Sequence, residues 1–123
     1  MGVKMKIDNP VVQKSFGFSV RIVNCYKYLI KNDKYLRSLY NQLLDSGTSV
    51  GANIAESQAA ASKTDFRNKL RISLKEAYET EFWLKLFYET EILGKKEFES
   101  LSRNCLELIK LLTSIIKNVQ LKS

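Results

Sequence analysis

Gln42-Leu43-Leu44-Asp45-Ser46-Gly47-Thr48-Ser49-Val50-Gly51-Ala52-Asn53-Ile54-Ala55-Glu56-Ser57-Gln58 is the stretch whose reading decides the fold. By propensity its centre is a loop, because each glycine inside a helix costs about 1 kcal/mol relative to alanine. By spacing it is a helix: Leu36, Leu39, Tyr40, Leu43, Leu44, Val50 and Ile54 recur with a helical period as far as about Ala60. Gly47, Gly51 and Ala55 then fall four apart, on one stripe, where small side chains let a neighbouring helix approach closely. Two short helices joined by a turn, or one long helix carrying small residues, both fit these residues.

Outward from this stretch the helical pattern is plainer. Asn9 precedes Pro10, the chain's single proline, which is the arrangement of a capping residue and a first-turn proline. An apolar-periodic run follows to about Lys31, with Val12, Phe16, Val20, Val23, Tyr26 or Lys27, and Ile30 expected to face inward. Asn32 and Asp33 make a break. Ser62 with Asp65 three residues on resembles a capping signal. A third helix is expected from there to about Leu93, burying Phe66, Leu70, Leu74, Ala77, Tyr78, Phe82, Leu84 or Trp83, and Phe87 or Tyr88. Gly94 is expected to end it as a left-handed cap. A fourth helix runs to about Leu121 through Phe98, Leu101, Cys105, Leu108, Leu112 or Leu111, Ile115 or Ile116, and Val119. No strand pattern competes.

The expected fold is all-α: a single-domain, antiparallel, up-down-up-down four-helix bundle over residues 1–123, with helices at about 10–31, 34–60, 64–93 and 96–121. Helix three carries aromatic and aliphatic residues on more than one face, more than a lone bundle needs, which fits either a generous core or the subunit interface of a homo-oligomer, the expected state. With 45% hydrophobic and 27% charged residues the chain reads as a regular folded protein. Neither a signal-peptide core nor a membrane-length apolar window occurs, so a cytoplasmic protein with no membrane association is expected.

Histidine is absent, which removes the commonest general base, the Ser-His and Cys-His nucleophile pairs and most imidazole metal sites. No phosphate-binding glycine loop and no Gly-x-Ser-x-Gly elbow is present. The expectation is a protein that is not an enzyme and has no catalytic residues, no cofactor and no metal. Cys25 and Cys105 read as small core hydrophobes.

The net charge is +7, and its placement carries more than its size. Lys63, Arg67, Lys69, Arg71 and Lys75 crowd the first half of helix three and acids crowd the second, against the helix macrodipole. Folded up-down-up-down, one end gathers Lys4, Lys6, Lys14, Lys63, Arg67, Lys69, Arg71, Lys117 and Lys122 against Asp8, Glu56 and Asp65. That is nine bases against three acids, whereas the other end holds seven of each. A bundle with one basic pole has the electrostatic footprint of a polyanion binder, contacting backbone rather than base edges. Lys63, Arg67, Lys69, Arg71, Lys14 and Lys117 are therefore the candidate nucleic-acid-binding residues.

The quoted stretch, together with Asp65-Phe66, Lys69-Leu70, Ser73-Leu74-Lys75-Glu76-Ala77, Glu79-Thr80-Glu81 and Phe82-Trp83-Leu84, resembles the four-helix-bundle family of bacterial 23S rRNA intervening-sequence proteins. The similarity covers roughly Asn9 to Leu121. It implies a continuous second helix through the glycines and assembly as a homopentamer. Relatives serve diversity-generating retroelements as accessory proteins, where a basic barrel binds nucleic acid and a reverse transcriptase. The function it implies is a non-catalytic oligomeric bundle binding RNA or DNA through its basic pole, with an oligomeric protein-protein adaptor as the alternative. Gly47, Gly51, Asn53, Ala55, Glu56, Lys75 and Glu76 match the family's motif positions and are expected to pack the helices. Of these, Glu56 and Lys75-Glu76 are spaced to lie on facing helices as a buried or half-buried polar cluster that fixes register. Asp45 departs from the family's pattern, in which a basic residue often follows the Gln-Leu-Leu run.

Overall fold

The computed structural model describes residues 9–119, which form four helices: α1 (Pro10–Asn32), α2 (Arg37–Ser57), α3 (Lys63–Glu89) and α4 (Lys95–Asn118). Asn9 caps α1 by accepting from the Val11 amide at 3.1 Å, and Ser62 caps α3 by accepting from the Asp65 amide at 3.0 Å. No strand occurs among the described residues.

Contacts between helices fix the directions. Tyr26 donates to Asn41 at 2.7 Å, while Gly47 meets Ile22 and Gly51 meets Ser19, so numbers rise on α2 as they fall on α1. Lys69 reaches Glu56, Ser73 donates to the Val50 carbonyl at 2.8 Å and Thr80 donates to Ser46 at 3.0 Å, giving the same sense between α2 and α3. Cys105 lies 3.2 Å from the Ala77 carbonyl and Ser102 donates to Glu81, so α4 opposes α3. Lys14 pairs with Glu107 and Arg21 with Asn104, closing α1 against α4. Each helix packs on its sequence neighbours and α1 on α4, with the diagonals apart.

Helix α2 passes through both glycines unbroken. A Cβ at Gly47 would stand 2.8 Å from both Cγ atoms of Ile22, a side chain with no exposed surface. The glycine is what lets α1 and α2 come this close, and the packing gained outweighs the propensity lost. The polar residues around it bond along their own helix instead of ending it: Thr48 donates to the Leu44 carbonyl at 2.7 Å and Asn53 to the Ser49 carbonyl at 2.9 Å.

Three expectations are corrected. The buried face of α1 is Val11, Ser15, Phe18, Ile22, Cys25 and Leu29, whereas Phe16, Val20 and Val23 point outward at 70%, 45% and 38% exposure. Both stripes have helical spacing; the one that packs sets the Ser15 backbone and the Ser19 hydroxyl against Gly51, a close approach that a side chain as large as Phe16 would block at that place. On α3, likewise, Tyr78 and Phe82 are exposed while Leu70, Ala77, Leu84 and Phe87 are buried. The turn after α3 is made at Glu91, which adopts φ 64°, with the Ile92 amide donating back to the Phe87 carbonyl at 2.8 Å. Gly94 has φ −74° and caps the start of α4 instead.

Gly47→Ala is expected to lower stability by about 1–3 kcal/mol through overpacking, despite alanine's better helix propensity. Combined with Ile22→Ala, which removes the clashing atoms, its cost should fall well below the sum of the single changes. Gly17→Ala, with nothing within 4 Å of an added Cβ, should be neutral or stabilising by up to about 1 kcal/mol. Urea denaturation of the four variants checks all three outcomes.

Candidate nucleic-acid interface

The antiparallel topology carries the start of α1, the end of α2, the start of α3 and the end of α4 to one end of the bundle. Lys4, Lys6, Asp8 and Lys122 lie outside the described residues. Of the six candidate cations, two are locally neutralised. Lys14 Nζ is 2.7 Å from Glu107 Oε2, and Lys69 Nζ is 2.9 Å from Glu56 Oε1, a hydrogen bond and charge that raise the Lys69 pKa. Lys63, Arg67, Arg71 and Lys117 form no ion pair among the described residues.

Arg67, Arg71 and Lys75 succeed one another four residues apart along α3 and line one wall of a groove of about 420 Å³ between α3 and α4. Leu74, Tyr78 and Ile116 supply its apolar lining. Arg67 Nε is shielded from solvent and meets no hydrogen-bond acceptor among the described residues. Lys75, expected in a register-fixing cluster, and Tyr78, expected in the core, both line this groove instead. The available signal was the shared four-residue spacing of 67, 71 and 75, flanked by 74 and 78.

The cluster expected of Glu56, Lys75 and Glu76 does not form within the chain. Glu56 is exposed and engages Lys69, six residues before the expected partner Lys75. Lys75 turns into the α3–α4 groove. Glu76 is half-buried, and burial, then Glu79 and, after the opposing Lys75, Asp45 push its carboxyl above the usual range. The helix-packing residues also divide: Gly47 and Gly51 receive α1, Asn53 bonds within α2 and Ala55 is exposed. Elsewhere, burial raises the Glu81 carboxyl against the bonds it accepts from Ser102, and pushes the Cys25 and Cys105 thiols up to about 11 and about 12. Both cysteines are free and lie in the apolar core.

This arrangement presents fixed positive charge beside an apolar groove, which is chemistry for holding anions. Among the described residues, no group of three or more His, Cys, Asp or Glu is placed to hold a metal ion, and no helix is long and apolar enough to cross a membrane.

Fold and charge together define a small four-helix bundle with cations gathered where α3 begins and α4 ends. The chain belongs to the 23S rRNA-intervening sequence protein family, whose model matches residues 7–114. It is similar to a solved structure from Bacteroides thetaiotaomicron, a protein of unknown function from the S23 ribosomal protein family. The two are 50% identical, with a TM-score of 0.84, over 88% of this chain and 99% of that one. A comparison with curated proteins finds no match.

The Glu76 shift has a sign that can be measured. A carboxyl raised in the folded state stabilises the fold only below its ordinary pKa, and that contribution is lost as pH rises through the folded value. Glu76→Gln cannot ionise, so its thermal midpoint should exceed wild type at neutral pH, by a margin that shrinks as pH falls through the raised folded value towards 4.5 and is largely gone below it.

Proposed function

We propose that this chain is a non-catalytic, oligomeric accessory protein that binds the backbone of RNA or DNA through its basic end. The observation that carries this reading is the set Lys63, Arg67, Arg71 and Lys117, cations left without a carboxylate partner among the described residues while Lys14 and Lys69 have one. An uncompensated patch of one sign attracts a polyanion, and each phosphate it neutralises releases a counterion. Four such contacts give a log affinity against log salt slope of about −3 on a single strand. The family's name, which refers to an intervening sequence of 23S rRNA, is consistent with a nucleic-acid setting.

Titrating a labelled structured RNA at increasing salt tests this. Affinity should be clear at low ionic strength and fall steeply with salt. Arg67→Glu with Arg71→Glu should weaken binding and flatten the slope by about 1.4 to 1.8, from its single-stranded to its paired parts. No binding even at low salt would remove the reading and favour an adaptor whose partner is a protein.

The oligomer rests on α1. Phe16, Val20 and Val23 form an exposed apolar stripe, and Ala52 and Ala55 face outward on the adjacent helix α2. A second copy would cover such a surface, and the family resemblance implies five copies. Light scattering should give about five times the 14.2 kDa chain mass. Phe16→Glu with Val20→Glu should reduce that mass while leaving helicity intact, since neither side chain is part of the bundle core.

A further inference from the structure

We infer that the groove between α3 and α4 is a seat for an unpaired nucleotide strand, in which Tyr78 stacks a base while Arg67, Arg71 and Lys75 hold the phosphates beside it. This inference rests on the nucleic-acid reading above and specifies the form of the ligand and the residues that distinguish it.

Three features of the groove converge on that ligand. Its cations are regularly spaced: four residues of α-helix advance about 6 Å, so Arg67, Arg71 and Lys75 make a ladder of charges along one wall. A ladder suits a chain of successive anions better than a single one. The groove is also not purely polar. Tyr78 is 57% exposed and stands beside Leu74 and Ile116, an aromatic face with apolar support. A base stacks on such a face whatever its identity, because every base has a π-face. Finally, Arg67 Nε is a donor hidden from water with no acceptor of its own among the described residues. A buried donor without a partner is costly, and a phosphate oxygen entering the groove would satisfy it.

A duplex does not use this combination. Its bases are stacked on one another and it offers the groove only phosphates, so Tyr78 would contribute nothing to holding it. An acidic peptide would use the cations and leave the ring without a stacking partner. The pairing of an exposed aromatic with a cation ladder therefore selects an unpaired strand over both.

The test compares a short labelled oligouridylate, the matching oligothymidylate and an RNA duplex of equal length, by fluorescence anisotropy at fixed low salt. Tyr78→Ala is expected to weaken binding of both single strands about tenfold and to leave duplex binding unchanged. Tyr78→Phe, which keeps the ring, should retain wild-type affinity. Lys75→Ala should reduce the salt slope for the single strands by about 0.7. Tyr78 is largely exposed, and an unchanged urea midpoint for Tyr78→Ala confirms that the fold is intact.

The inference is overturned if Tyr78→Ala binds the single strands as wild type does, or loses duplex and single strand alike. It is also overturned if a polyglutamate peptide competes as strongly as the oligonucleotide, or if Tyr78→Ala lowers the mass of the assembly, which would make the groove a contact between copies. In those cases Arg67→Glu with Arg71→Glu still decides the broader reading separately. Should wild type bind none of the three nucleic acids at low salt, both fall together.

Discussion

The seat of α1 on the glycines of α2 is the constraint from which the rest of the bundle follows. Ile22 fills the space a side chain at Gly47 would need, and Ser19 and the Ser15 backbone do the same at Gly51. Two helices held this close can slide by neither a residue nor a turn without driving a larger side chain into the other backbone. The register of α1 on α2 is thereby set, and Tyr26 reaching Asn41 is its consequence at the far end. Hydroxyls carry the same precision into the next layer. Ser73, buried, finds its acceptor in a backbone carbonyl of α2, and Thr80 meets Ser46 across the same contact while also bonding the Glu76 carbonyl of its own helix.

That register determines which apolar residues are left over. A helix has one face to give to a bundle, and α1 gives the face with Ser15, Phe18, Ile22 and Cys25. The phenylalanine and valines of the competing stripe are then turned to the outside by geometry, not by any preference of their own. It is this stripe that the proposed assembly would cover. The interior contact between α1 and α2 and the external surface of α1 are thus two results of one packing choice.

The four helices, their order and their N-terminal caps at Asn9 and Ser62 were legible in the sequence, because periodicity and capping chemistry act over a few residues. Three things were not legible from propensity and spacing alone, though the family resemblance implied the first. Propensity and spacing disagreed over α2, and only the close approach of another helix decides between them. The two stripes of α1 have the same period, so the choice turns on the volume available opposite Gly51, a property of another helix. The turn after α3 falls at Glu91 and not at Gly94 because Ile92 and Leu93 fold back on the Phe87 carbonyl, and burial of Leu93 holds a non-glycine residue at positive φ. At the charged end, the sequence placed the cations together but did not show which had partners. Lys14 finds Glu107, 93 residues away, and Lys69 finds Glu56 across the α2–α3 contact, pairings that only the packed registers create.

Those pairings also explain how a modest net charge becomes a local one. The first half of α3 carries its cations against the helix dipole, at a cost of roughly 0.3–1 kcal/mol for each that lies in the first turn. Were the aim only to keep the surface hydrated, bases and acids mixed along the helix would avoid that cost. Instead Glu56 and Glu107 neutralise the lysines facing α2 and α4, while Arg67, Arg71 and Lys75 continue along the α3–α4 groove without acidic partners among the described residues. Two of the three are arginines, whose planar, weakly hydrated guanidinium gives up water more readily than an ammonium and holds an oxyanion with two donors. Residue type, spacing and the missing partners therefore converge on the same few square nanometres of α3, the part of the surface where the fold leaves positive charge unanswered.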